Sequence, residues 1–290
     1  MKRIDFLQAT LGASAFLGLS LAACNDKNSI QELIDNTSKN VNGSMFGFSD
    51  KKIDKVKIGI IGLGNRGNVL LQMFQYLVEN NHAEIIALCD IQKNKIDKAN
   101  SILKKWQSKK ATNYYTSSED WKNLAKREDI DLVIIATPWR MHTPMSLFCM
   151  ENNKHVACEV PIAYKLEDCW KLTQTSEKMK KHCIMLENCN YNHEELWILN
   201  MIQEGVFGEI THTEGAYLHD LRALLLDENY YQGQWRLHQH ANRNGNFYTT
   251  HGLGPISFYL NIGRGDTFSH LTSMSTREKN LSIAAKQVNH

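Results

Sequence analysis

Residues 55–67, Lys55-Val-Lys-Ile-Gly-Ile-Ile-Gly-Leu-Gly-Asn-Arg-Gly67, carry an apolar strand straight into a turn with glycines at 62, 64 and 67. At that spacing a strand-to-helix turn can bring backbone N–H groups against a pyrophosphate. The first glycine permits the tight turn, the second the approach of the phosphate, and the third the packing of helix on strand. Asn65 and Arg66 complete the phosphate-facing turn. A second apolar run, Glu84-Ile-Ile-Ala-Leu-Cys-Asp90, ends in an acid 28 positions after Gly62. A carboxylate there accepts ribose hydroxyls, which predicts NAD rather than NADP. The alternative is a βαβ unit whose glycines serve turn geometry alone.

A second concentration of reactive side chains lies far downstream. Between Tyr230 and Pro255 the chain carries Tyr231, Gln234, Trp235, Arg236, His238, His240, Asn242, Arg243, Asn244, Tyr248 and His251. Flat rings suit stacking on a sugar, and Arg, Asn and His suit its hydroxyls and amides. A loop of this length and composition is more often functional than incidental.

The elements that must position these groups follow an alternating order. Helices are expected at 68–79, 94–107, after Thr137–His142 as far as Glu151, and over 166–180, with Ser118 as a candidate N-cap for another near Trp121. Residues 131–137 are an apolar run without alternation, the pattern of a strand buried on both faces, and 155–159 and 183–188 read as the next two strands. Together they predict a doubly wound parallel α/β sheet, a Rossmann fold, over 54–189. Its strand C-termini bring Trp139, Arg140, Met141 and His142, then Glu159 and Val160, then Asn188, towards the cofactor. Beyond 190 a helix at 192–203, strands at 208–217 and 268–276 and a helix ending near Asn261 read as an α+β substrate domain over 190–290.

The N-terminal residues read as something other than fold. Met1-Lys-Arg3 precedes an apolar run from Leu7 to Ala23 that closes in Leu21-Ala-Ala-Cys24. The run is short for a membrane span and suits a secretory signal over 1–24. Its ending resembles a bacterial lipobox, with Cys24 the lipidated residue, and Lys2-Arg3 resembles a variant twin-arginine signal. An uncleaved anchor helix is the alternative. Residues 25–53 are polar and read as a flexible linker. The expectation is an exported protein, attached to a bacterial membrane by lipid or free in the periplasm.

A net charge of +2, with basic and acidic residues interspersed, gives no nucleic-acid footprint. The seven cysteines form no C-x-x-C pair, and the twelve histidines show no metal-ligand spacing, so no metal is expected. Cys89, Cys149, Cys158 and Cys183 read as small core hydrophobes.

The first half resembles the glucose–fructose oxidoreductase-like dehydrogenases, whose hallmark Glu-Lys-Pro here reads Glu159-Val-Pro161 and lacks the lysine. That departure and the later motifs resemble the family 109 glycoside hydrolases, NAD-dependent α-N-acetylgalactosaminidases. The motifs are Gly64-Asn-Arg-Gly67, Trp139-Arg-Met-His142, Met185-Leu-Glu-Asn188, Gly215-Ala-Tyr-Leu-His-Asp-Leu-Arg222, Trp235-Arg236, Asn242-Arg-Asn-Gly245, Tyr248-Thr-Thr-His251 and Asn261-Ile-Gly-Arg-Gly-Asp266. Thr249 stands where the family usually carries proline. The resemblance implies oxidation at C3 of the sugar by NAD, C1 elimination, water addition and re-reduction, outside the two-carboxylate scheme. It implies Tyr217 and His251 as the proton-transfer groups, and Tyr217, Arg236, Tyr248, Thr249, Thr250 and His251 around a glycoside substrate. The chain stops at His290, well short of the family's length, so a C-terminally truncated substrate domain is expected. A sugar dehydrogenase on the same scaffold and an inactive NAD-binding fragment are the competing readings. Assembly into a homo-oligomer is left open.

Overall fold

The structure, a computed structural model, describes residue 45 and residues 47–288. The signal over 1–24, Cys24 and most of the 25–53 linker lie outside the described residues. Two compact units divide in sequence between Leu186 and Glu187.

The first unit is the expected parallel sheet. Its elements are β1 (Val56–Ile61), α1 (Asn65–Met73), α2 (Gln75–Glu79), β2 (Ala83–Cys89), α3 (Lys93–Leu103), β3 (Thr112–Tyr114), α4 (Asp120–Ala125), β4 (Leu132–Ile135), α5 (His142–Glu151), β5 (His155–Cys158), α6 (Leu166–Met179) and β6 (Cys183–Met185). The strand order is β3-β2-β1-β4-β5-β6, with every pairing parallel. Chain order reverses between β1 and β4, which opens a crevice at their C-terminal ends.

The apolar runs explain the layers. Ile58, Ile60, Ile85 and Leu88 pack with Leu71, Ile96 and Leu103 in one core cluster. Ile61, Val133, Ile135, Val156 and Cys158 pack with Trp121, Leu124, Met145 and Cys149 in another. Each fully buried Leu or Ile contributes about 1.5–3 kcal/mol. Cys89, Cys149 and Cys158 are buried and Cys183 half-buried, all as thiols. Burial pushes the Cys89, Cys149 and Cys183 thiols up to about 12.

Three local expectations are corrected. Helix α4 is not capped by Ser118. The Asp120 carboxylate accepts the N–H of Thr116 (2.6 Å) and of Ser117 (3.2 Å), and the Ser117 hydroxyl accepts the N–H of Glu119 (3.0 Å). The neighbouring Ser117 and Asp120 side chains satisfy the turn, which is how such residues compete for backbone donors. The last linker residues are fastened to the sheet. Asp50 accepts from Lys181 Nζ (2.8 Å) and lies 3.1 Å from His155 Nε2, while Phe48 packs on His182 with centroids 5.4 Å apart. The expected strands at 208–217 and 268–276 do not form. No strand of the second unit lies beside either among the described residues, and without a ladder partner an extended segment is not a sheet strand.

The second unit consists of a 3₁₀ turn (Asn188–Tyr191), α7 (His193–Gln203), α8 (Arg222–Leu226), a 3₁₀ turn (Gln232–Gln234), α9 (Trp235–Asn242), α10 (Thr249–Tyr259) and α11 (Asn280–Gln287). The stretch read as one long loop therefore contains a helix, α9, and a short helix, α8, precedes it. Leu221 and Leu225 are buried, whereas Trp197, Leu218, Leu271 and Met274 stand at the surface. No described helix is long and apolar enough to cross a membrane.

Candidate active site

In the first unit the glycine turn has the shape that a dinucleotide needs. Gly62 sits at φ +90°, and a Cβ there would meet the Ala136 carbonyl oxygen at 2.6 Å. A Cβ on Gly67 would lie 1.9 Å from the Gly62 carbonyl oxygen, so only glycine lets α1 start against β1. A Cβ on Gly64 meets nothing within 4 Å, which leaves the turn open where a phosphate would approach. Asp90 stands beyond the end of β2, its Oδ2 accepting the Leu63 N–H at 2.8 Å and its Oδ1 the Gln92 N–H at 2.9 Å. An ionised carboxylate offers about four acceptor positions, so two remain for ribose hydroxyls.

The neighbouring strand ends carry the other residues expected at the cofactor. Trp139 and His142 are buried, 3% and 1% exposed, whereas Arg140 is exposed and Met141 half-buried. The two His142 ring nitrogens lie 2.8 Å from the Pro161 carbonyl oxygen and 2.7 Å from that of Thr137, so the ring ties the β4 and β5 loops together. Burial lowers its pKa. Glu159 is buried and receives Arg66 Nε at 2.5 Å, joining the start of α1 to the end of β5, and its other oxygen accepts the Val160 N–H. The glutamate of the Glu-Val-Pro motif thus holds an arginine. Asn188 belongs to the second unit, exposed in the 3₁₀ turn at 188–191.

The second unit gathers the remaining site residues. His251, in the first turn of α10, stacks on Tyr248 with centroids 5.0 Å apart and packs on Tyr217 at 4.9 Å. The Arg236 guanidinium lies 4.7 Å from the centroid of Tyr248, and Arg236 Nη1 donates to the Tyr231 hydroxyl at 2.7 Å. Arg236 is buried, and cation–π contacts hold it against the rings. Tyr217, Arg236 and Tyr248 line a cleft of about 550 Å³ together with His240, Asn246 and Phe247. That volume lies within the usual range for a small-ligand site. Thr249 and Thr250 follow in α10, exposed and half-buried. The turn that a proline would stiffen in the family is held here by Asn246, whose Oδ1 accepts the Tyr248 N–H at 2.9 Å.

A backbone crossing sets this geometry. A Cβ on Gly215 would lie 2.8 Å from the Gly252 carbonyl oxygen and 2.9 Å from Ile256 Cδ1. Two glycines in contact let the irregular segment that carries Gly215 lie on α10, which brings Tyr217 to His251. Gly215→Ala is expected to lower the unfolding free energy by about 1–3 kcal/mol, as overpacking does. Urea unfolding checks this, and an unchanged midpoint would show that the crossing has slack.

Two participants escape sequence reasoning. Glu187 is 3% exposed, and its Oε1 lies 2.6 Å from His251 Nδ1. Burial works to raise its pKa, but the hydrogen bonds from His251 and the Cys189 N–H outweigh burial and hold it below the ordinary value. A neutral His251 that donates from Nδ1 to Glu187 keeps its lone pair on Nε2, the arrangement of an oriented general base. His219 Nδ1 lies 2.8 Å from the Tyr217 hydroxyl. The i, i+2 spacing in an extended segment is the signal for that pair. Nothing in sequence spacing joins Glu187 to His251.

Comparison with known proteins follows the same division. Residues 56–187 match the oxidoreductase family with an NAD-binding Rossmann fold, and residues 191–289 match the glycosyl hydrolase 109 C-terminal domain. The first unit is thus an NAD-binding domain. The chain is 40% identical over 287 residues to a glycosyl hydrolase family 109 protein of Shewanella putrefaciens, covering 98% of this chain and 61% of that one. It is 42% identical over 244 residues to the alpha-N-acetylgalactosaminidase of Shewanella oneidensis, covering 84% of this chain and 52% of that one. The chain therefore spans little more than half the length of these relatives. Among solved structures, scyllo-inositol dehydrogenase from Lactobacillus casei, with bound NAD(H) and scyllo-inositol, aligns with a TM-score of 0.46 at 21% identity. That alignment covers 54% of this chain and 43% of the dehydrogenase.

Proposed function

Because the chain belongs to the glycosyl hydrolase 109 family, we propose that it serves NAD-dependent hydrolysis of terminal α-linked N-acetylgalactosamine. The observation that carries this reading is the His251 cluster: an imidazole fixed by a buried carboxylate, between two tyrosines, beside a buried arginine.

The turn at 62–67 and Asp90 would hold NAD, which would supply the hydride acceptor for oxidation at C3 of the sugar and the hydride donor for its reversal. The chain's own residues do the rest. With a ketone at C3, the C2 proton becomes acidic, and a base must remove it as the C1 substituent leaves. We assign the proton transfers at C2 and at the C3 hydroxyl to His251 Nε2 and the Tyr217 hydroxyl. Glu187 keeps the His251 tautomer, and His219 supports the Tyr217 hydroxyl. Arg236 and Tyr248 hold the sugar, with Thr249 and Thr250 at the start of α10 offering hydroxyls. Water then adds at C1, and the ketone is reduced. No carboxylate pair is required. The absence of lysine from Glu159-Val-Pro161 sets this reading apart from a sugar dehydrogenase that uses that lysine.

The test is turnover of a chromogenic α-N-acetylgalactosaminide with NADH followed in parallel. Hydrolysis without NADH accumulation supports the glycosidase. NADH rising in step with an oxidised sugar would identify a dehydrogenase instead.

Export is part of the same proposal, and it rests on Leu21-Ala-Ala-Cys24. The mature protein is expected to begin at a lipidated Cys24 and to sediment with membranes, since more than one acyl chain gives stable attachment. Cys24→Ala should leave the precursor unprocessed and without lipid label. Normal processing and labelling of that variant would overturn the assignment.

A further inference from the structure

We infer that the second unit holds a site for a thiophilic divalent cation of the zinc class, formed by Glu187, Cys189 and His251. A carboxylate oxygen, a thiol sulfur and an imidazole nitrogen from these residues all lie within 4.8 Å of one another. Zinc bonds of about 2.0–2.3 Å in a tetrahedral shell place neighbouring ligand atoms roughly 3.3–3.8 Å apart. Small side-chain rotations therefore bring the trio from its present spacing into a coordination shell.

The backbone already fixes two of the three. Glu187 and Cys189 flank one residue at the start of the 3₁₀ turn, and the Cys189 N–H donates to Glu187 Oε1 at 3.0 Å. His251 enters from α10, its Nδ1 at 2.6 Å from the same oxygen. The charge balance suits a dication: a carboxylate and a thiolate neutralise it, and the imidazole binds as the neutral base. Glu187 is 3% exposed, and a buried carboxylate gains from a cation beside it. Thiolate and imidazole select zinc-like ions over magnesium or calcium, whose shells are oxygen. Cys189 and His251 are only half-buried, which leaves a fourth position for water.

Binding releases the thiol proton to solvent. An ion on Nδ1 also leaves the remaining imidazole proton on Nε2, so the loaded form lacks the Nε2 lone pair. That consequence for activity rests on the proposed function, whereas the site itself does not, and the two are tested separately.

The experiment titrates chelator-treated full chain with Co²⁺ and then displaces it with Zn²⁺. The expected result is one ion per chain with a thiolate-to-cobalt charge-transfer band. Cys189→Ser should abolish that band and weaken binding at least tenfold, with circular dichroism showing the fold intact. Equal binding and an equal band in the variant would overturn the site. If the variant does not fold, alkylation of the unaltered chain decides: Zn²⁺ should protect Cys189 from iodoacetamide, as mapped by mass spectrometry. Unchanged alkylation would refute the proposal.

Discussion

Replacing His251 with asparagine is expected to lower kcat by roughly two to four orders of magnitude, the usual weight of a general acid–base group. Tyr217→Phe should fall in the same range. NAD should remain bound in both, because neither residue belongs to the turn at 62–67 or contacts Asp90. The reason lies in the proton inventory of the cluster. His251 gives Nδ1 to Glu187 at 2.6 Å, which leaves Nε2 as the basic atom. Asparagine keeps a hydrogen-bonding amide but offers no base. Phenylalanine keeps the ring against His251 but removes the hydroxyl that lies 2.8 Å from His219 Nδ1. Elimination breaks the C2–H bond, so turnover in heavy water should place deuterium at C2 of the released sugar when the abstracted proton exchanges. Direct displacement at C1 never breaks that bond. Full activity in both variants, with C2 unlabelled, would exclude the mechanism and favour the dehydrogenase. These measurements apply to any form of the protein that hydrolyses the substrate.

How much of this was legible in the sequence depends on which forces act locally. Strands β1, β2, β4 and β5 announce themselves as apolar runs because both faces of a parallel sheet are covered, and β6 is apolar in sequence although Ile184 is exposed at the sheet edge. β3 does not: Thr112–Tyr114 is a three-residue edge strand with Thr112 and Asn113 exposed, so burial leaves no mark on its composition. The stretch at 208–217 shows the opposite failure. Its partial alternation reads as a strand, yet a strand is a paired object, and the pairing depends on neighbours that local pattern does not encode. The helix α9 lies hidden in a stretch whose aromatic and polar richness reads as loop. Arg236 is buried there against rings rather than extended to solvent.

The site divides in the same way. The cofactor turn is contiguous, and each glycine has a steric reason visible from spacing alone. Tyr217 and His251 came from family resemblance, since a strand-end tyrosine and a helix-start histidine are ordinary in isolation. What brings them together is the Gly215–Gly252 crossing, a contact between two backbones far apart in sequence. Glu187 sits inside a motif that was recognised, but its role needs the fold, which delivers it to His251 across 64 positions. Long-range polar pairs of this kind have no periodicity to betray them.

Cofactor choice carries the other large effect. The unaltered protein is expected to bind NAD at least about a hundredfold more tightly than NADP. A 2′-phosphate bears roughly 1.5–2 negative charges at neutral pH. Beside a carboxylate at about 4 Å, even one such charge costs about 4 kcal/mol at an effective dielectric of 20. Every 1.4 kcal/mol is tenfold, so screening can remove a good part of that and still leave the preference. Arg66 is the nearby cation that could offset the repulsion, but its Nε is committed to the buried Glu159 at 2.5 Å. Moving Arg66 to a phosphate would strand that carboxylate, and a buried unpaired charge is costly. Asp90 also braces the turn through Leu63 and Gln92, so Asp90→Ala removes more than ribose contacts. Losing hydrogen bonds to a charged group costs about 1.5–3 kcal/mol, so NAD affinity should drop ten- to hundredfold. Asp90→Asn keeps an acceptor and the shape while removing the charge, and it should narrow the gap between NAD and NADP without the full loss. Titrations of both cofactors against the three proteins decide the matter. Equal binding of NAD and NADP by the unaltered chain, or unchanged NAD affinity in Asp90→Ala, would take Asp90 out of the ribose site.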